Sequence, residues 1–147
     1  MGVCAFVASG VNFDVDEYVR DTSFEVLCVF HKGDPRSRSD PEKRPRPDSG
    51  FIAVVSHDDF PHLLDQVGEG LDFLNTHEKE FERLKGLGVD FMALDFRVPQ
   101  QREDSKVHSV PPELVQAMGR FHMGLVFSVE VLEDDRRPRR WSNPRRR

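Results

Sequence analysis

Long apolar runs are missing from this sequence. No stretch approaches the roughly 18 residues that a helix needs to cross a bilayer, so the chain is not expected to span a membrane. Cysteine is nearly absent: Cys4 and Cys28 are the two copies. Each sits inside an apolar run, which is the setting of a small buried hydrophobe rather than a disulfide framework. A reducing, cytoplasmic setting follows as the expectation. The opening MGVCAFVASG has no basic segment before its short apolar stretch and does not read as a secretory signal. Phe6 stands where a myristoylation motif wants Ser or Thr, which excludes that reading of Met1-Gly2. There is one Trp and one Tyr against 12 Phe, and no internal repeat. Paired cysteines, a His-Glu-x-x-His run and a Gly-rich phosphate loop are also missing. Their absence removes the common zinc and nucleotide signatures.

What is present is a chain of ordinary single-domain length, 147 residues, with 37% apolar and 32% charged residues. A core rich in Phe is large enough to fold without staples. The charge is divided unevenly. Net charge is −5 and residues 136–147 (RRPRRWSNPRRR) hold seven Arg and no acid, so residues 1–135 carry −12. An acidic body disfavours nonspecific nucleic-acid binding and favours basic partners. We therefore divide the chain into one α+β domain over 1–135 and a basic tail over 136–147.

Hydrophobic spacing predicts the order β-α-β-β-α-β-α-β. VCAFVA (3–8) is a buried first strand ended by Ser9-Gly10. Asp14 caps a two-turn helix with Val15, Tyr18 and Val19 on one face. Phe24–Phe30 alternates as a second strand with Phe24, Val26, Cys28 and Phe30 together. Residues 31–50 hold four prolines and mixed charge, and read as a long exposed loop, in part extended or disordered. FIAVV (51–55) is the third strand. His57 to Leu87 is the main helical region, with Asp58 or Asp59 as cap, Pro61 in the first turn, and a bend near Asn75-Thr76-His77. Val89–Val98 is a strand with Met92, Leu94, Phe96 and Val98 on one face, followed by a polar loop over 99–109. Pro111-Pro112-Glu113 opens a helix with Leu114, Met118 and Phe121 on one side. LVFSVEVL (125–132) closes the domain, with Leu125, Phe127, Val129 and Val131 on one face and Ser128 and Glu130 on the other, which is at least partly wet. The expected fold is α+β: a single sheet of about five strands, helices mainly on one face. A ferredoxin-like β-α-β-β-α-β core would be extended by a C-terminal α-β crossover.

The segments FVASGVNFDVDEYV, VFHKGDPR and SGFIAVVS, with FERLKGLG and the Pro-Glu-Leu helix start further on, resemble a bacterial family of small α+β domains of unknown function. That family shows a Ser-Gly strand end and a Lys-Gly-Asp loop, and the likeness covers roughly residues 3–132. At Gly50-Phe51 the chain departs from the pattern, which has a Trp soon after the glycine. The resemblance implies a bacterial immunity or accessory role and supplies no catalytic residues.

Three groups of residues carry candidate chemistry. His57, Asp58, Asp59 and His62 are the densest metal-ligand cluster, although the same residues also suit a helix start. Lys32, Gly33 and Asp34 open the long loop, where a glycine turn closed by Asp is the simplest structure and a partner-recognition edge the functional one. Arg136, Arg137, Arg139, Arg140, Trp141, Arg145, Arg146 and Arg147 can contact phosphates and stack on a base. No catalytic residue and no cofactor is assigned. Asp90 and Asp95 are five apart on a strand and face opposite sides. Ser9 and Ser128 lack a nucleophile-elbow context, and the cysteines lack activating neighbours. His122 reads as a helix-end residue beside the terminal carbonyls. The sequence thus points to a noncatalytic protein-interaction module with a basic protein partner. Nucleic-acid association through the tail is one alternative, and a small metal protein or enzyme using the His57–His62 cluster is another.

Overall fold

A computed structural model describes residues 4–35, 44–57, 63–101 and 107–132. The elements are β1 (Cys4–Gly10), α1 (Val15–Val19), β2 (Val26–Phe30), β3 (Ser49–Ser56), α2 (Leu63–Thr76), α3 (Glu78–Gly86), β4 (Phe91–Gln101), α4 (Pro112–Arg120) and β5 (Gly124–Leu132). The five strands form one mixed sheet in the order β2-β3-β1-β4-β5. β3 lies between β1 and β2 and is antiparallel to both, β4 flanks β1 antiparallel, and β5 runs parallel to β4. The chain is an α+β protein, with a five-stranded sheet and four helices among the described residues. None of the described helices is long and apolar enough to cross a membrane.

Strand alternation sends one set of side chains to a single apolar layer. Cys4, Phe6 and Ala8 of β1, Phe51 and Ala53 of β3, and Met92, Leu94 and Phe96 of β4 are all buried there. Phe6 is fully enclosed at the centre, with the rings of Phe24, Phe73 and Phe81 at 5.3–5.4 Å and Phe51 at 6.0 Å. Offset and edge contacts of this kind add to area burial because ring edges are positive and faces negative. The helices supply the other half of the layer: Val15 and Tyr18 from α1, Val67, Phe73 and Leu74 from α2, Phe81 and Leu84 from α3, Leu114 and Met118 from α4. Gln66 of α2 is also buried and donates from Nε2 to the Arg97 carbonyl (2.9 Å), fastening the helix to β4 just past the end of the β1 ladder.

Several sequence expectations hold. Asp14 caps α1 by accepting from the Glu17 N–H at 3.2 Å, and the predicted faces of α1, α4 and β4 are the buried ones. The long helix does break at His77, whose ring sits between Phe24 (4.9 Å) and Phe73 (4.7 Å). That burial lowers the pKa of its ring.

Other expectations are corrected. The second strand begins at Val26, not Phe24, and it is bulged between Val26 and Cys28. A bulge adds one residue and reverses the alternation. Val26 and Val29 therefore join the core face opposite Ala53 and Phe51, while Cys28 and Phe30 turn to the other face opposite Ile52 and Gly50. Cys28 is consequently exposed rather than buried. β4 does not stop at Val98; its ladder with β5 continues to Gln101↔Leu132. The β1 ladder ends at Phe96, so at Pro99 the strand has one neighbour, where proline is tolerated. On β5 Ser128 is half-buried, in keeping with a partly wet face, but the apolar row is wetter still: Leu125, Phe127 and Val129 are 39%, 40% and 55% exposed. Expectations for 36–43, 58–62, 102–106 and 133–147 lie outside the described residues, the Arg-rich tail among them.

Candidate functional site

Two regions carry exposed, organised chemistry: the turn after β2, and the sheet face that the helices leave open.

The turn is built from His31, Lys32, Gly33 and Asp34. The Asp34 N–H donates to the His31 carbonyl at 3.0 Å, and Gly33 adopts φ +90° at the third position. A reversal with that angle favours glycine, because a Cβ would crowd the backbone. The Asp34 carboxylate closes the turn by accepting from the His31 N–H at 2.9 Å. The returning strand is tied on by reciprocal bonds, Gly33 N–H to the Arg46 carbonyl (2.9 Å) and Arg46 N–H to the Asp34 carbonyl (2.8 Å). The Lys32 N–H donates to Ser49 Oγ at 2.8 Å. Lys32-Gly33-Asp34 is therefore a fastened turn, and the described ends of the 31–50 loop are hydrogen-bonded to each other.

Its charges continue onto α1. His31 Nε2 lies 2.8 and 3.0 Å from the two Asp16 oxygens, and Nδ1 lies 3.5 Å from Asp34 Oδ2. The Asp16 carboxylate and, secondarily, Asp34 raise the His31 pKa. A ring with a carboxylate on each nitrogen holds its proton and is poorly placed to act as a base toward a nucleophile. Asp16 and Glu17 on the same short helix, Asp14 at its N-cap and Asp21 just past its C-cap are exposed. A small cavity of about 180 Å³ beside Tyr18 and Arg83 is lined by Asp14, Glu17 and Asp21. It falls below the roughly 300 Å³ at which pockets usually enclose a small-molecule ligand.

The open face of the sheet reads as rows across the strands. One row runs Cys28–Ile52–Val7–Ala93–Gly124, and the next runs Val54–Ala5–Asp95–Val126. At the β2 side the ring of Phe30 lies across Gly50. A Cβ on Gly50 would come within 2.6 Å of that ring and 2.3 Å of the Ala8 carbonyl oxygen. Arg46 covers the ring with its guanidinium carbon 4.3 Å from the centroid. At the β5 side Ser128 Oγ donates to Asp95 at 2.8–2.9 Å, so the carboxylate on this face is satisfied by the neighbouring strand.

The remaining sequence candidates separate. His57 is exposed and pairs with Glu25 at 2.5 Å. Asp58, Asp59 and His62 lie outside the described residues, as do Arg136, Arg137, Arg139, Arg140, Trp141, Arg145, Arg146 and Arg147. Among the described residues no group of three or more His, Cys, Asp or Glu is arranged to hold a metal ion. Burial and the nearby Asp95 and Glu69 charges push the Cys4 thiol up to about 12, which keeps it protonated and inert. Asp90 precedes β4, with its N–H on the Ser9 carbonyl (3.0 Å), whereas Asp95 projects from the open face. His122 takes φ +55° after α4 and its N–H donates to the Gly119 carbonyl at 3.1 Å. Sequence reasoning missed the Asp16–His31 pair, whose members are fifteen residues apart, and the wet apolar row on β5.

Comparison of the chain with known protein families, with curated proteins and with solved structures gave no match.

Proposed function

We propose that the chain is a noncatalytic protein-interaction module whose acidic end, formed by α1 and the Lys32-Gly33-Asp34 turn, engages a basic protein partner. The observation that carries this reading is the convergence of Asp14, Asp16, Glu17 and Asp21 with the fastened turn that presents Asp34. A rigid acidic surface loses little conformational freedom on binding, and its field steers a basic partner toward it. The −12 charge of residues 1–135 acts in the same direction. The likeness of the Ser-Gly and Lys-Gly-Asp segments to small bacterial domains supports an immunity or accessory setting for such a partner.

The test is affinity capture from source-cell lysate with the full chain and with the double variant Asp16→Lys, Glu17→Lys as baits, at low and high salt. The expected result is a stoichiometric basic protein on the wild-type bait that is lost from the variant and released by salt. Retention of the same protein on both baits, or retention indifferent to salt, overturns the reading.

A further inference from the structure

We propose that the groove between α2 and α4 binds a short zwitterionic peptide, its carboxylate on Arg120 and its ammonium beside Asp72 and Glu113. The site is independent of the basic partner proposed above, because no residue that lines the groove belongs to α1 or to the Lys32-Gly33-Asp34 turn.

α2 and α4 pack against each other in the helix layer and leave between them a cavity of about 640 Å³. That volume falls within the roughly 300–1,000 Å³ of pockets that take small ligands. Two helical stripes form its walls. α4 contributes Glu113, Gln116, Ala117 and Arg120, and α2 contributes Leu71, Asp72 and Asn75. Spacings of three and four residues keep each stripe on one side of its helix. Leu71 and Ala117 are half-buried and give the groove an apolar strip, whereas its polar side chains are exposed.

The groove keeps opposite charges apart. Arg120 pairs with no carboxylate among the described residues, although Asp72 and Glu113 line the same cavity. Its guanidinium is steadied instead by Asn75, with Nη2 donating to Oδ1 at 3.5 Å, and by the Phe121 ring, whose centroid lies 4.7 Å from Cζ. A guanidinium placed in this way offers its remaining N–H groups to an incoming carboxylate in a fixed plane. The Asp72 and Glu113 carboxylates and the Gln116 amide make no hydrogen bond or ion pair among the described residues. Unpaired charge of both signs in one cavity is the complement of a dipolar ligand.

Distance selects the length of that ligand. Glu113 and Arg120 stand at the two ends of α4, about two turns and so about 10 Å apart along its axis. An extended chain covers about 3.3–3.6 Å per residue, so about three residues carry an ammonium at the Glu113 end and a carboxylate at the Arg120 end. A free amino acid is too short to meet both. Gln116 lies between them on the same stripe, and its amide can donate to and accept from a peptide group midway.

The experiment is an amide NMR titration of the full chain with trialanine, N-acetyl-trialanine, trialanine amide and free alanine. It is run at about 0.15 M salt, which screens the general pull of the acidic body on a cationic peptide. The expected result is saturable shifts of the Asn75, Gln116 and Arg120 signals with trialanine. Each blocked form should bind about three- to fivefold more weakly, the effect of losing one exposed charge pair, and alanine should bind more weakly than trialanine. Arg120→Gln should erase the difference between trialanine and its amide while keeping the difference between trialanine and its N-acetyl form. The double variant Asp72→Asn, Glu113→Gln should do the reverse. Side chains that served only to hold the helices would change the binding of every ligand alike, and that outcome overturns the proposal. No saturable shift at roughly 10 mM, where a site with a Kd of about 1 mM is about nine-tenths filled, also overturns it. So do blocked peptides or alanine that bind as well as trialanine, and shifts confined to residues outside the groove.

Discussion

The two edges of the sheet solve the same problem in opposite ways. β2 is short and bulged. It carries Phe30 on the open face, laid over Gly50 and covered by Arg46. Beyond it the chain turns tightly at Gly33 and is fastened by Asp34, Ser49 and Arg46. β5 is long and regular, with its apolar row exposed. One edge has been closed with local structure from its own chain. The other carries no such closure among the described residues. The difference follows from what each strand is attached to: β2 leads into a loop that folds back on it, whereas β5 follows α4, which packs on α2 and leaves β5 unroofed.

The comparison breaks most readily at Phe30. Phe30→Ala removes a ring that is 7% exposed and leaves a hole beside a glycine that cannot fill it. We expect a loss of about 3 kcal/mol, the lower end for buried phenylalanine, read from urea unfolding. If the two edges were equivalent, Phe127→Ala would cost the same. Phe127 is 40% exposed, and its truncation should cost roughly 1 kcal/mol or less, measured at concentrations where the chain is monomeric. Equal losses would refute the asymmetry. Between these lies Gly50→Ala. The added methyl would meet the Ala8 carbonyl oxygen at 2.3 Å and the Phe30 ring at 2.6 Å. Backbone must shift, and overpacking of this kind costs about 2 kcal/mol. Combining Gly50→Ala with Phe30→Ala removes one of three clashes, leaving those with the Ala8 carbonyl oxygen and Ser9 Cβ (2.7 Å), so the pair should cost less than the two single losses added together.

How legible the molecule is in its sequence differs along the same line. Strands and helices whose pattern is undisturbed could be read directly: the Met92-Leu94-Phe96-Val98 face, the Leu114-Met118-Phe121 face and the Asp14 cap all appear where periodicity puts them. The β2 edge could not. Its bulge adds a residue without any signal in a run of apolar side chains, so the even-numbered set Phe24 to Phe30 read as one face when it is divided between two. Cys28 was misplaced for that reason alone. On β5 the alternation was legible, but the wetness of each row was not, because it depends on where α4 comes to rest rather than on β5 itself. At the candidate site the glycine of Lys32-Gly33-Asp34 announced a turn, since a positive φ has a residue signature. The Asp16–His31 pair had none. It exists because β2 and α1 pack side by side, a contact that no local spacing encodes.

That pair gives the smallest effect and the most specific one. Asp16 and Asp34 together hold the His31 ring protonated above its ordinary value of 6.5. A histidine whose pKa is raised by folding stabilises the folded state below its unfolded pKa, and that contribution is lost as pH rises through the folded pKa. The Asp16→Asn variant should therefore show a His31 midpoint moved down toward 6.5 by NMR titration, with Asp34 keeping part of the shift. Its melting temperature should fall below wild type in mildly acidic buffer, and the two should converge at alkaline pH, where the ring is neutral in both. His77 provides the internal control, since its pKa is lowered by burial between Phe24 and Phe73 and Asp16 does not touch it. An unchanged His31 midpoint in the variant would show that α1 and the turn are not electrostatically joined, and the acidic end would then be two separate surfaces rather than one.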